Sequence, residues 1–128
     1  MMSTSMTPPY HILIIDDSDL VRNLISRMVQ HAYPSARISK VANGKAALDC
    51  FASDSADLII TDAYMTPIDG VALTTMLRSQ DVRVPIVILS GDSGVEPLAR
   101  KAGASAFIMK PFSSASLAKE LHQLLPQA

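Results

Sequence analysis

Four apolar runs spread along this chain each end in a residue of a kind that handles phosphate or metal. Ile12-Leu13-Ile14-Ile15 runs into Asp16-Asp17, and Leu58-Ile59-Ile60-Thr61 runs into Asp62. Val84-Pro85-Ile86-Val87-Ile88-Leu89 runs into Ser90, and Ala106-Phe107-Ile108-Met109 runs into Lys110-Pro111. Short continuous apolar runs suit strands covered on both faces. As parallel strands of one sheet they share a carboxyl-terminal edge, where open α/β folds place their sites. Three carboxylates, a hydroxyl and an ammonium then converge from opposite ends of the chain.

Segments of helical period lie between these runs. Leu20, Val21, Leu24, Ile25, Met28 and Val29 form an apolar stripe that stops near Tyr33-Pro34. Asn43-Gly44 precedes Ala46, Ala47, Leu48 and Phe51, with Asn43 as the cap. Asp69-Gly70 opens a third helix, with Ala72, Leu73, Met76 and Leu77 on one face. A fourth covers about Val95 to Ala102, where Pro97 fits only in the first turn. Ser113 or Ser114 caps a fifth, which turns Leu117, Leu121, Leu124 and Leu125 inward. A weaker strand, Ile38 to Val41, falls between the first two helices. The sum is an α/β protein, (βα)5, with a doubly wound parallel sheet, right-handed crossovers and helices on both faces.

The length of 128 residues suits one domain, expected over residues 10–126 behind a disordered tail at 1–9. A formal net charge of −1 provides no broad cationic field, which argues against nucleic-acid binding by charge alone. The longest apolar runs are far short of the roughly 20 residues that span a bilayer. Cys50, the single cysteine, excludes an internal disulfide and fits a reducing compartment. The expectation is a soluble, cytoplasmic protein with no membrane contact. Cys50 reads as a small packing residue, and His11, His31 and His122 as surface or packing residues without ligand spacing.

Asp16, Asp17 and Asp62 are costly neighbours. At an effective dielectric of 20, two like charges about 4 Å apart repel by roughly 4 kcal/mol. Such a trio calls for raised pKa values or a cation. An all-oxygen donor set favours a hard ion such as Mg²⁺, which bridges carboxylate and phosphate. Lys110 adds a positive charge and Ser90 a donor, a combination suited to phosphoryl transfer. A carboxylate can itself be the nucleophile, and a central strand puts Asp62 between the acidic pair and Lys110.

These residues resemble the receiver domain of two-component response regulators, of the single-domain chemotaxis type. The resemblance covers about Ile12 to Leu125. It is carried by Ile15-Asp16-Asp17, by Asp62 with Met65 and Asp69-Gly70, by Ser90-Gly91, and by the run from Lys101 through Lys110-Pro111-Phe112. It implies a flavodoxin-like strand order 2-1-3-4-5 and a signalling role, not an enzyme's. Asp62 is then the phosphoacceptor for a histidine kinase or histidine phosphotransfer protein. Mg²⁺ is held by Asp17, Asp62 and the Tyr64 backbone carbonyl, with Asp16 acting through water. Ser90 and Lys110 bond the new phosphate, Phe107 swings inward behind Ser90, and a downstream protein reads the fourth helix, fifth strand and fifth helix. An apolar Phe107 ring, with no hydroxyl to hold it at the surface, is expected inward even before phosphorylation. The chain departs from the family pattern where Thr66 separates Met65 from Pro67, where the bulky Tyr64 overhangs the acceptor, and in a shortened stretch from Ser90 to Lys110.

Two other readings compete. Asp17-Ser18-Asp19-Leu20-Val21 is similar to the nucleophile motif of haloacid-dehalogenase-like phosphatases, with Asp17 as nucleophile. That family needs a further acidic motif after its lysine, and residues 111–128 hold only Glu120. A pseudo-receiver that binds partners and takes no phosphate is the second. Dinucleotide binding is excluded by the lack of a Gly-x-Gly-x-x-Gly after the first strand. Taken singly, Asp17 could merely cap the first helix, and Lys110-Pro111 could be a stiff turn.

Overall fold

The computed structural model describes residues 9–126. The disordered tail expected at 1–9 falls almost wholly outside them. Five strands, β1 (His11–Ile15), β2 (Arg37–Val41), β3 (Leu58–Asp62), β4 (Ile86–Ser90) and β5 (Ala106–Met109), alternate with five helices. The helices are α1 (Asp19–Ala32), α2 (Gly44–Ser53), α3 (Gly70–Ser79), α4 (Val95–Ala102) and α5 (Ser114–Leu124). All strand pairs are parallel, in the order β2-β1-β3-β4-β5. This is the expected flavodoxin-like architecture.

Side chains alternate across a strand, so each apolar run feeds two cores. Ile12, Ile14, Leu58, Ile60, Val87 and Leu89 pack with Ile25 and Val29 of α1 and Leu117 and Leu121 of α5. Leu13, Ile15, Ile59, Ile86 and Ile88 pack on the other face with Ala47, Leu73, Leu77 and Ala99 of α2 to α4. Covering both faces buries β1, β3 and β4 along their whole length. The edge strand β2 instead exposes Arg37 and Lys40, charges that discourage pairing with another chain.

The helix starts follow local chemistry. Asn43 accepts the Ala46 N–H at 2.8 Å, Asp69 accepts that of Ala72 at 2.7 Å, and Ser113 forms a capping box with Ser116. Ser18, not Asp17, caps α1 by accepting from Val21. α4 has no side-chain cap and ends at Gly103, whose φ of 105° lies in the left-handed region glycine tolerates. Two apolar faces are narrower than the helical spacing predicts. Leu20 is 79% and Leu24 50% exposed. At about 100° per residue, Leu20 sits roughly 140° round the helix from Ile25. On α3, Ala72 and Met76 are exposed and Thr74 is buried, its hydroxyl donating to the Gly70 carbonyl at 2.8 Å.

The amino-terminal edge of the sheet is pinned by His11, which is buried in β1. Its Nδ1 lies 3.1 Å from the Ser55 carbonyl and its Nε2 2.7 Å from Ser39 Oγ. A carbonyl only accepts, so Nδ1 donates to it, while Nε2 pairs with the Ser39 hydroxyl. Tyr10 and Tyr33 donate to the carbonyls of Pro126 and Leu125, tying down the end of α5. No helix among the described residues is long and apolar enough to cross a membrane.

Candidate functional site

The register delivers the expected edge. Ile15 lies beside Thr61, Asp62 beside Leu89, and Ser90 beside Met109, so Asp16, Asp62, Ser90 and Lys110 stand in a row. The Asp16 N–H donates to the Val41 carbonyl at 3.2 Å and that of Lys110 to the Ser90 carbonyl at 2.8 Å. The row is therefore an extension of the sheet's own ladder.

Asp62 is buried to 9% exposure and uses both carboxylate oxygens. Oδ1 accepts from the Lys110 ammonium at 2.5 Å, and Oδ2 accepts the Tyr64 N–H at 3.1 Å. Asp16 is buried more deeply. Its Oδ1 accepts the Ser18 N–H at 2.9 Å, while Oδ2 is buried without a hydrogen-bond partner, 4.0 Å from the Lys110 Nζ. Asp17 is exposed.

Burial lifts the Asp16 carboxyl above its ordinary 3.8. The Ser18 N–H opposes this, Asp62 and Asp17 add to it, and Lys110 pulls it back. The folded state thus holds the Asp16 proton more tightly than the unfolded chain, and stability falls as pH rises through the raised value. Asp16→Asn removes that penalty while keeping an acceptor for Ser18. In chelator-treated protein at pH 7 it is expected to raise Tm by about 4 °C, near 1 kcal/mol for a chain this size. The gain should vanish in acid, where wild-type Asp16 is protonated. A Tm that drops at pH 7 counts against a strained carboxylate. Asp17 is exposed, so Asp17→Asn is expected to change metal-free stability little.

Ser90 is buried at the end of β4, where its Oγ accepts the Asp92 N–H at 3.0 Å. Tyr64 is 58% exposed, and its hydroxyl donates to Asp92 Oδ2 at 2.8 Å. That bond holds the Tyr64 hydroxyl above its ordinary value, and, with the Gly94 N–H, holds the Asp92 carboxyl below its own. Phe107 is buried on β5 in the same core as Val95 and Ala99 of α4.

The sequence reading missed three participants. Arg22, on the first turn of α1, donates to the Asp16 backbone carbonyl at 2.6 Å and pairs with Asp19. Asp92 and the Tyr64 hydroxyl join the loops after β4 and β3. Arg22 had no sequence signal beyond its charge. Asp92 had one, since an Asp two residues before Gly94 is a turn former that bonds its own backbone.

Among the described residues, no three His, Cys, Asp or Glu side chains are gathered closely enough to hold a metal ion. The Lys110 ammonium instead lies against Asp62. The donor chemistry nevertheless suits a hard cation, because the buried Asp16 Oδ2 has no hydrogen-bond partner beside a second carboxylate.

The family model for the response regulator receiver domain matches residues 12–122, so the chain belongs to that family. It is a family of signalling domains in two-component systems, for which phosphorylation on aspartate and Mg²⁺ binding are general features. The transcriptional regulatory protein PrrA of Mycobacterium tuberculosis is 31% identical over 126 residues, covering 97% of this chain and 53% of that protein. A protein-glutamate methylesterase/protein-glutamine glutaminase of Treponema denticola is 36% identical over 110 residues, covering 82% of this chain and 29% of that one. The chain thus spans about half or less of these curated relatives. Among solved structures, the chemotaxis protein CheY4 of Vibrio cholerae superposes with a TM-score of 0.82 at 27% identity, over 91% of this chain and 98% of that one. The receiver domain of the sensor histidine kinase PA1611 of Pseudomonas aeruginosa, with magnesium coordinated in its active-site cleft, gives 0.81 at 27% identity, over 91% and 97%.

Proposed function

We propose that this protein is a Mg²⁺-dependent phosphoacceptor in two-component signalling, acting in the cytoplasm, with Asp62 as the accepting carboxylate. The observation that carries the reading is the bond from Lys110 to Asp62 beside the unpartnered oxygen of buried Asp16. An Asp62 oxygen attacks the phosphorus of a phosphohistidine. The new O–P bond forms as the P–N bond breaks, and the imidazole nitrogen keeps the electron pair and takes up a proton. Lys110 neutralises charge on the transferred group, and Ser90 offers its hydroxyl proton to a phosphoryl oxygen. Asp17, Asp62 and the Tyr64 carbonyl would hold the Mg²⁺, with Asp16 acting through water, and the bound ion would supply positive charge to offset the acidic residues and the phosphoryl oxygens.

The donor is a histidine kinase or histidine phosphotransfer protein. An apolar groove of about 360 Å³, lined by Val21, Leu24, Met28, Lys110, Pro111 and Phe112, runs from the site along α1 and suits an apolar helix bearing the phosphohistidine. Downstream contacts use α4, β5 and α5, where Leu98 and Met109 are exposed. Phe107, already inside the core, leaves less of a swing for the switch than an outward ring.

The decisive test is mass mapping after treatment with acetyl phosphate and Mg²⁺. An adduct on Asp62 is expected. An adduct on Asp17 indicates the phosphatase chemistry, and a folded protein with no adduct indicates a pseudo-receiver. Millimolar Mg²⁺ should also raise Tm by mass action, as any ligand of the folded state does, and an unchanged melting curve counts against the metal site.

A further inference from the structure

Asp92 sits where three parts of the molecule meet, and neither the motif nor the acceptor chemistry accounts for it. Its Oδ2 accepts from the Tyr64 hydroxyl at 2.8 Å, its Oδ1 accepts the Gly94 N–H at 2.9 Å, and its own N–H donates to Ser90 Oγ at 3.0 Å. Tyr64 in turn donates its N–H to Asp62 Oδ2 at 3.1 Å. A continuous path of hydrogen bonds therefore runs from Asp62 through Tyr64 and Asp92 to Ser90, with a branch to Gly94 at the start of α4. Gly94 is matched to that branch. A Cβ there would lie 3.1 Å from Asp92 Oδ1, tighter than ordinary contact. With no side-chain cap on α4, its entry is held by the Asp92 carboxylate at Gly94 and by the Asp92 and Ser93 carbonyls, which accept the Val95 and Glu96 N–H groups.

We propose that the Tyr64–Asp92 bond is a latch that fastens the loop after β4 to the loop after β3 in the unphosphorylated protein, with Asp92 as the positioning residue that passes a displacement of Ser90 to the first turn of α4. The inference rests on Asp62 being the acceptor. Ser90 makes no hydrogen bond to Asp62 in this structure and its Oγ is held by the Asp92 N–H, so a bond from Ser90 to a phosphoryl group on Asp62 pulls on the 90–94 loop. That movement carries Asp92 with it, loosens the bond to Tyr64 and re-aims the carboxylate that holds Gly94. A two-state element shifts only by the differential free energy of its trigger, and the latch adds to what the trigger must supply.

The test uses Tyr64→Phe, which removes the hydroxyl and leaves the ring, together with Asp92→Ala, Asp92→Asn and the double variant. In protein without any phosphodonor, amide exchange at Asp92 and Gly94 should rise roughly three- to tenfold in Tyr64→Phe, the range for a charge-assisted bond discounted for exposure. The α4 amide shifts should move toward their beryllofluoride-bound positions. The double variant should go no further than Asp92→Ala, because residues sharing one bond are not additive. Asp92→Asn, which keeps a carbonyl oxygen for one of the two donors, should restore only part of the protection that Asp92→Ala loses. Adduct formation from acetyl phosphate should speed up by a similar factor in Tyr64→Phe. Unchanged exchange at Gly94, or additive effects, overturns the latch, and that arm needs no chemistry at Asp62. A wild-type protein that forms no adduct on Asp62 overturns the acceptor reading, and with it the latch's part in phosphorylation.

Discussion

Asp62→Asn is expected to eliminate the phosphoryl adduct while leaving the fold within about 1 kcal/mol of wild type. The chemical effect is total because an amide has no nucleophilic carboxylate oxygen to attack phosphorus. The structural effect is small because Asn keeps a carbonyl oxygen for one of the two donors, the Lys110 ammonium and the Tyr64 N–H. It also removes a repulsive neighbour of Asp16, whose carboxyl Asp62 helps to push up. Two changes therefore offset, the loss of a charge-assisted bond to Lys110 and relief at Asp16. The check is mass mapping alongside thermal melts in chelator. Undiminished labelling of Asp62→Asn would mean that another side chain accepts phosphoryl. Lys110→Ala is the contrasting variant. It leaves the acidic residues with no cation, so its Tm should fall in chelator and recover with Mg²⁺.

Gly70→Ala is expected to be the most damaging of the glycine-to-alanine changes in this protein. A Cβ at Gly70 would stand 2.3 Å from the Asp62 backbone oxygen and 3.2 Å from the Ala63 Cα. Neither neighbour can retreat. Asp62 is paired with Leu89 in the sheet, the Ala63 N–H donates to the Leu89 carbonyl at 2.9 Å, and the Gly70 N–H donates to the Ala63 carbonyl at 2.9 Å. The methyl group therefore pushes either the end of β3 or the start of α3, at a cost of about 3 kcal/mol. For a chain this size that lowers Tm by on the order of 10 °C. Gly91→Ala is the control, since nothing lies within 4 Å of its Cβ. Phosphorylation should slow in whatever Gly70→Ala protein remains folded, because the displaced atoms belong to Asp62. A Tm near wild type would show that the loop yields.

The site was legible in unequal parts. Asp16, Asp62, Ser90 and Lys110 each follow an apolar run, and a parallel sheet has one edge where all such runs end. The difference between Asp16 and Asp17 was not legible. Adjacent residues leave the strand in different directions, and the structure buries Asp16 with an unpartnered oxygen while exposing Asp17. Tyr64 read as bulk above the acceptor, yet its hydroxyl is bonded to Asp92 across two loops. Arg22 carries no sequence signal beyond its charge, yet it donates to the Asp16 carbonyl.

What the sequence by itself determined is what depends on near neighbours. Continuous apolar runs set the strands, helical spacing set the helices, and Asn43, Asp69 and Ser113 set helix starts through bonds to residues three positions away. What only the tertiary structure decided is which groups meet across strands: the Lys110 bond to Asp62, 48 positions apart, and the Tyr64 bond to Asp92, 28 apart. It also decided that Leu20 and Leu24 face outward and that Gly70 backs onto the Asp62 carbonyl. The physical reason is range. Periodicity and capping act through backbone geometry over a turn or a pleat, whereas side-chain pairing between strand ends depends on register, rotamer and burial, which exist only once the sheet has formed.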